Sequence, residues 1–216
     1  MKNLRVCLPI LLTALVSANI WAADNSQHWH DNRAMININP RLSLDIYNRN
    51  RWRDFPFATT FQTCVQGGLV YKLTPEISSL LAYRYDMANK TGYYEFENRF
   101  LLEFAFKLPL IKQFAFGLTQ RTELRYFTRS TPDNVRLRFA GNISRKVTAY
   151  GLKFTPSLTG ELFWDDQADE INRFRLYVGS GYTISQHYSV KLIYIREFNK
   201  TRPDLDIIDT GFNIVY

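Results

Sequence analysis

The last twelve residues, 205–216, alternate. Ile208, Thr210, Phe212, Ile214 and Tyr216 fall on one track, and the smaller, mostly polar Asp209, Gly211, Asn213 and Val215 on the other. A period of two is the signature of a strand with one apolar and one wet face. The same pattern recurs upstream. After Tyr94, the residues Phe96, Phe100, Leu102, Phe104 and Phe106 share a track, mostly opposite Glu95, Glu97, Arg99, Glu103 and Lys107. Next, Phe114, Phe116, Leu118, Leu124 and Tyr126 oppose Thr119, Arg121, Glu123, Arg125 and Arg129. Charges this dense on an inner face would ruin the dry core of a secreted β-sandwich, the competing arrangement. A barrel with an apolar outside and a wet or ion-paired inside tolerates them. The alternation therefore predicts an all-β chain folded as a transmembrane antiparallel β-barrel.

The amino end fits that destination. Lys2 and Arg5 precede an apolar run over 6–16 and then the small residues Ser17 and Ala18, the tripartite pattern of a secretory signal. Cleavage is expected after Ala22, giving a signal peptide over 1–22 and one barrel domain over 23–216. The run is too short for a spanning helix, which argues against a retained anchor. A mean hydropathy of −0.25 looks soluble, but only alternate residues of a barrel strand face lipid. The 16 Phe and 13 Tyr suit aromatic girdles at two interfaces. Cys7 lies in the signal, so Cys64 is alone in the mature chain and no intramolecular disulfide can form.

Lys and Arg number 27 against 20 acids; without Lys2 and Arg5 the balance is 25 against 20, or +5. The surplus is arginine on inward tracks, not a lysine-rich patch, and export makes nucleic acid an unsuitable partner. The expected location is the outer membrane of a Gram-negative bacterium, among lipid and lipopolysaccharide. A last strand ending on an aromatic resembles the closing strand of bacterial outer-membrane barrels. That resemblance implies that Phe212, Ile214 and Tyr216 engage the barrel-assembly machinery.

Ten strands are readable from Leu42 to Tyr216, plus a short one near Ala34 to Asn39. Because single-chain bacterial barrels have even strand numbers, eleven reads as a miscount. The amino-terminal piece then lies off the wall, or one strand is hidden, giving ten to twelve strands. Short connections fall at 73–76, 108–110, from Arg145 onward and at 184–187. Longer ones fall at 52–59, 88–92, 130–134, 165–170 and 199–204.

Inward arginines are the strongest polar signal. The candidate lumenal network is Arg49, Arg51, Arg84, Glu97, Arg99, Glu103, Arg121, Glu123, Arg125, Arg136, Arg138, Glu161, Arg173 and Arg175, with Arg129, Asp45 and Asp86 on the same tracks. One reading is that bidentate Arg–carboxylate pairs fill and stiffen a narrow lumen. The other is an arginine ladder that guides small anionic solutes, since rings of Arg select anions. His187-Tyr188-Ser189 resembles the His/Ser pair of outer-membrane lipid-cleaving enzymes. It sits at a short periplasmic turn and lacks the Asn and Gly that usually follow such a serine. His28-Trp29-His30 reads as an exposed tail and a poor metal site. Trp29, Trp52 and Trp164, with Tyr83, Tyr85, Tyr93 and Tyr94, read as interface belts. No catalytic, cofactor or metal site is expected.

Several motifs in order, Tyr83-Arg84-Tyr85, Glu97-Asn98-Arg99, 120–126, Arg136-Leu137-Arg138, Glu161-Leu162-Phe163 and 172–176, resemble a family of outer-membrane proteins, the domain of unknown function 2490. The resemblance covers most of the mature length and implies a barrel, with the Arg and Glu positions as a shared lumenal network; it brings no substrate. The chain is also loosely similar to monomeric oligosaccharide porins with arginine-lined pores. The function expected is a small, anion-preferring channel. A side-chain-plugged barrel with a structural or interaction role is the alternative, and an outer-membrane lipid-modifying enzyme a second.

Overall fold

Twelve β-segments follow one another in the structure, a computed structural model that describes residues 26–53, 60–90, 92–111, 114–129, 132–149 and 151–216. The expected signal and its cleavage point lie outside the described residues. The segments are β1 (Ser26–Asn37), β2 (Leu42–Arg53), β3 (Thr60–Lys72), β4 (Ile77–Lys90), β5 (Tyr93–Ile111), β6 (Phe114–Phe127), β7 (Asn134–Arg145), β8 (Val147–Ala149), β9 (Leu152–Asp165), β10 (Glu170–Thr183), β11 (Tyr188–Asn199) and β12 (Leu205–Val215). β7 and β8 both pair with β9, in one register that holds from Arg136↔Asp165 to Ser144↔Ser157 and resumes from Val147↔Phe154 to Ala149↔Leu152. They are one wall strand interrupted at Lys146, so the wall has eleven strands. The connection expected from Arg145 onward falls instead beyond Ala149. The one expected at 108–110 falls beyond Ile111, the end of β5.

Neighbouring strands pair antiparallel around the wall except at one seam. There β1 runs parallel to β12, from Ser26↔Asp206 to Met35↔Val215. Each connection reverses the chain, so an eleventh strand points the same way as the first and can close only in parallel. The even-number rule was thus the wrong constraint, and the count of eleven stands. The amino-terminal piece is no stub off the wall but a full twelve-residue strand. His28-Trp29-His30, expected as an exposed tail, lies inside it. A further consequence is that Ser26 and Tyr216 lie at opposite rims. At the rim of Tyr216 β1 gives way to β2, β3 to β4, β5 to β6, β8 to β9 and β10 to β11; at the rim of Ser26 β2 gives way to β3, β4 to β5, β6 to β7, β9 to β10 and β11 to β12.

The two tracks separate as the alternation requires. Outward on β3, β4 and β5 stand Val65, Leu81 and Phe100, 53%, 64% and 50% exposed, joined by the register Val65↔Tyr85 and Tyr83↔Phe100. Bare apolar rows of this extent belong to a wall that meets something other than water. Inward stand Asp45, Arg84, Glu97, Arg99, Glu123, Glu161, Arg175 and Glu197, all buried. Arg129 does not join them: it lies exposed beyond the end of β6, its guanidinium 5.4 Å from the Tyr93 ring.

Candidate functional site

Side chains close the middle of the lumen. Glu123 on β6 is wholly buried and accepts hydrogen bonds from Arg99 Nη1 at 3.1 Å and Arg138 Nη1 at 2.8 Å. Arg99 Nε also donates to Glu97 Oε1 at 2.9 Å. Arg125 grips Glu97 with both ends of its fork, at 2.6 and 3.0 Å. On the other flank Arg138 Nε donates to Glu161 at 2.8 Å, Tyr177 donates its hydroxyl to the same carboxylate, and Arg175 Nε donates to Glu197 at 2.5 Å. The belt continues around the seam, where Lys191 Nζ donates to Asp31 at 2.7 Å and Asp209 at 2.6 Å and Arg49 Nη2 donates to Asp31 at 2.7 Å. These are charge-assisted bonds, several with two contacts, and in a low-dielectric interior each lost partner strands a charge.

Aromatic and aliphatic side chains fill the space between the ion pairs. Trp29, Ile195 and Ile207 form a buried cluster against Tyr177, and Leu80, Ala82 and Leu101 a second. The guanidinium carbons of Arg49, Arg51 and Arg175 lie 4.5, 4.2 and 5.1 Å from the Trp29 ring. Those of Arg138, Arg173 and Arg175 lie 4.9, 5.2 and 4.6 Å from Phe163. Each ring lets like charges gather on its negative face. A side chain bordering a water-filled pore would show accessible surface; here Glu123, Ile195 and Ile207 show none.

The filled middle separates two cavities. One, of about 680 Å³, opens at the rim of Ser26 and the longer connections. The other, of about 200 Å³, is lined by Glu103, Thr119, Arg121, Arg138, Ala140 and Glu161. Among the described residues, twelve arginines and lysines border the larger cavity against five carboxylates. Three of these cations are weakly matched: Arg51 and Arg84 are held by amides and not by carboxylates, and Arg173 by one loose ion pair. Arg51 donates to the amide oxygen of Gln62 at 2.8 Å, Arg84 to that of Gln66 at 3.0 and 2.7 Å. The Nε of Arg173 is buried with no hydrogen-bond partner, and the nearest carboxylate to it, Glu197, is 3.7 Å away. A concave site with surplus guanidinium groups and aromatic edges (Trp29, Phe61, Phe127, Phe163) has the chemistry to hold phosphate or carboxylate groups bidentately.

All fourteen residues of the expected network are lumenal. Arg49, Arg51, Arg84, Glu97, Arg99, Arg125, Arg136, Arg138, Arg173 and Arg175 border the large cavity; Glu103, Arg121 and Glu161 border the small one with Arg138, and Glu123 is sealed between them. Trp29, expected in an interface belt, is instead the largest buried side chain of the lumen. It shares the inward track with Asp31, and that shared track was its signal. Tyr83, Tyr85 and Tyr94 are exposed, and Trp52 stacks outside on His28 at 5.2 Å. His187 uses Nδ1 on the Val215 carbonyl oxygen at 2.8 Å and Nε2 on the Gln186 amide at 3.0 Å. Asp31, Lys191, Glu197 and Asp209 were missed as network members. Asp165, assigned to a loop, ends β9 and holds Arg136 at 2.8 Å.

A family model described as "Protein of unknown function (DUF2490)" matches residues 26–207, nearly the whole barrel. No curated protein matches in sequence. Several solved structures share the fold, these two among them. One is the β domain of the Bordetella autotransporter BrkA, 11% identical with a TM-score of 0.52 over 81% of each chain. The other is LpxR from Salmonella typhimurium, 9% identical with a TM-score of 0.53 over 84% of this chain and 86% of that one.

Proposed function

We propose that this chain, which belongs to the DUF2490 family, is a non-conducting outer-membrane barrel whose arginine-rich cup captures an anionic molecule at the cell surface. The bare apolar outer rows and the likeness to outer-membrane barrels support insertion in that membrane, and Lys2 to Ala22 support export by a cleaved signal. The rim of Ser26 has the longer connections, which in outer-membrane barrels are extracellular. That orientation puts Tyr216 in the periplasm with the assembly machinery and opens the cup outward, toward lipopolysaccharide.

The surplus of twelve cations over five carboxylates above a filled lumen carries the reading. An anion-selective pore needs an open path lined by cationic rings, whereas here the middle of the lumen is filled and its arginines are bonded to carboxylates. The cup, at about 680 Å³, has the size of pockets that hold small organic ligands. Its ligand carries at least two phosphate or carboxylate groups, matching the spread of the amide-held Arg51 and Arg84 and the loosely paired Arg173. The test is equilibrium dialysis of the refolded barrel with labelled pyrophosphate. Saturable binding weakened at least tenfold by Arg51→Gln with Arg173→Gln supports the cup, since a charge-assisted bond contributes about 1.5–3 kcal/mol. Unsaturable uptake, or binding unchanged by the double variant, overturns it.

A further inference from the structure

The cup is lined by more than charge. Among the described residues six amide side chains border it, Gln27, Gln62, Asn89, Asn134, Gln167 and Asn172, and an amide both donates and accepts. Four buried side-chain polar atoms among the described residues have no hydrogen-bond partner, and three of them belong to this lining: Asp86 Oδ2, Asn172 Oδ1 and Arg173 Nε. Buried polar groups are ordinarily bonded, so a cluster of exceptions around one cavity calls for a cause. Asp86 is 3% exposed. Its Oδ1 accepts from Gln62 Nε2 at 2.9 Å, while its Oδ2 has a loose ion pair with Arg99 at 3.6 Å and no hydrogen bond. Asn172 is the extra residue of a β-bulge, where the β9–β10 register shifts between Ile171 and Arg173. Bulges re-aim side chains, and this one brings two successive residues to the cup.

The unpartnered atoms have opposite needs. A carboxylate only accepts and a guanidinium only donates, so a ligand that satisfies both carries a hydrogen-bond donor as well as an anion. β4 with Asp86 and β10 with Arg173 stand nearly opposite each other: five strands separate them one way round the wall and four the other. The donor is not an ammonium. Arg84 precedes Asp86 on the inward track, Arg51 donates to the same Gln62 amide at 2.8 Å, and Arg99 stands on the neighbouring strand, so a further cation is repelled there. A hydroxyl donates without adding charge. We propose that the ligand of the cup is an anionic sugar, whose hydroxyls bond Asp86 and the lining amides while its phosphate or carboxylate groups bond Arg173 and Arg51. Seating it draws the side chains of Asp86, Asn172 and Arg173 onto the ligand and gives each its missing partner.

The proposal rests on the anion-binding cup and narrows its ligand. Equilibrium dialysis of the refolded mature barrel compares glucose 1,6-bisphosphate with hexane-1,6-diol bisphosphate, which carries both phosphates and no hydroxyl. The sugar should bind about tenfold more tightly or better, since hydrogen bonds to charged groups are the strong ones. Asp86→Asn should erase that preference from both sides, weakening the sugar and tightening the diol compound, because a negative charge leaves the cup. Equal weakening of both marks a merely structural role and overturns the proposal. Lipopolysaccharide that displaces the bound sugar identifies the ligand as a lipid headgroup, displacement by free sugar phosphate alone identifies a soluble one, and either supports the proposal. Equal binding of the two compounds by the parent chain overturns it and leaves the cup reading standing. Failure of both compounds and of pyrophosphate to bind ends the cup reading itself.

Discussion

Glu123→Gln keeps the shape of a side chain with no accessible surface and removes one charge from the centre of the belt. Arg99 and Arg138 each lose a carboxylate partner, at 3.1 and 2.8 Å, and Arg121 loses one at 3.9 Å. Arg99 keeps Glu97 at 2.8 Å and Arg138 keeps Glu161 at 2.5 Å, so the belt loosens without falling apart. Breaking a buried pair by removing one partner costs about 3–5 kcal/mol. With a urea slope of about 1–3 kcal/mol per molar, the unfolding midpoint should fall by about 1–5 M. Burial also sets the salt dependence: the shift should be nearly the same in dilute and in molar salt, because counterions do not reach the pair. Glu103→Gln is the internal control, since Glu103 and its partner Arg121 are both partly accessible; its midpoint should move much less. The assay is urea unfolding of the refolded barrel in vesicles, followed by tryptophan fluorescence. A Glu123→Gln midpoint within error of the parent, or one that recovers in high salt, would mean that water occupies the middle of the lumen and would refute the packing argument.

Two neighbouring glycines test the assignment of faces. A Cβ on Gly68 would lie 2.5 Å from the Ala82 Cβ and 2.8 Å from the Leu81 carbonyl oxygen, whereas one on Gly67 would meet nothing within 4 Å. Gly68→Ala should destabilise by about 1–3 kcal/mol as overpacking does, Gly67→Ala should be neutral or mildly stabilising, and equal effects in urea unfolding would contradict the register. Single-tryptophan chains probe the same division: lipids brominated in their acyl chains should quench Trp52 and leave Trp29 bright, and quenching of Trp29 would place β1 out of register.

Period-two alternation carried the fold because a barrel wall obeys it strand after strand, and Glu97, Arg99, Glu123 and Arg138 declared their face by falling on the track opposite Phe96, Phe100, Leu124, Leu137 and Phe139. Beyond that, the sequence was ambiguous for physical reasons. Trp29 on the inward track looks like any interface tryptophan until Arg49, Arg51 and Arg175 are seen around its ring. Lumenal Ile195 and Ile207 break the charged-inside rule, since a filled lumen needs apolar bulk between its ion pairs. The polar outward face of β1 disguised that strand as a tail, because His28, His30 and Asn32 are not what a lipid-facing track carries. Closure was misjudged on a rule about strand number, although the chain itself showed eleven strands. Whether the inward arginines lie free or paired depends on contacts between distant strands, such as Arg125 to Glu97 and Arg138 to Glu123, and no local pattern encodes them.

The central claim is that paired side chains seal the lumen beneath an open, cationic cup. Single-channel recording of the refolded mature chain in a planar bilayer under a salt gradient tests it most directly. The account predicts silence from the parent chain and the first steady conductance only when the belt is cut, as in Glu123→Ala with Arg138→Ala. Steady, anion-selective current through the unaltered barrel would contradict it.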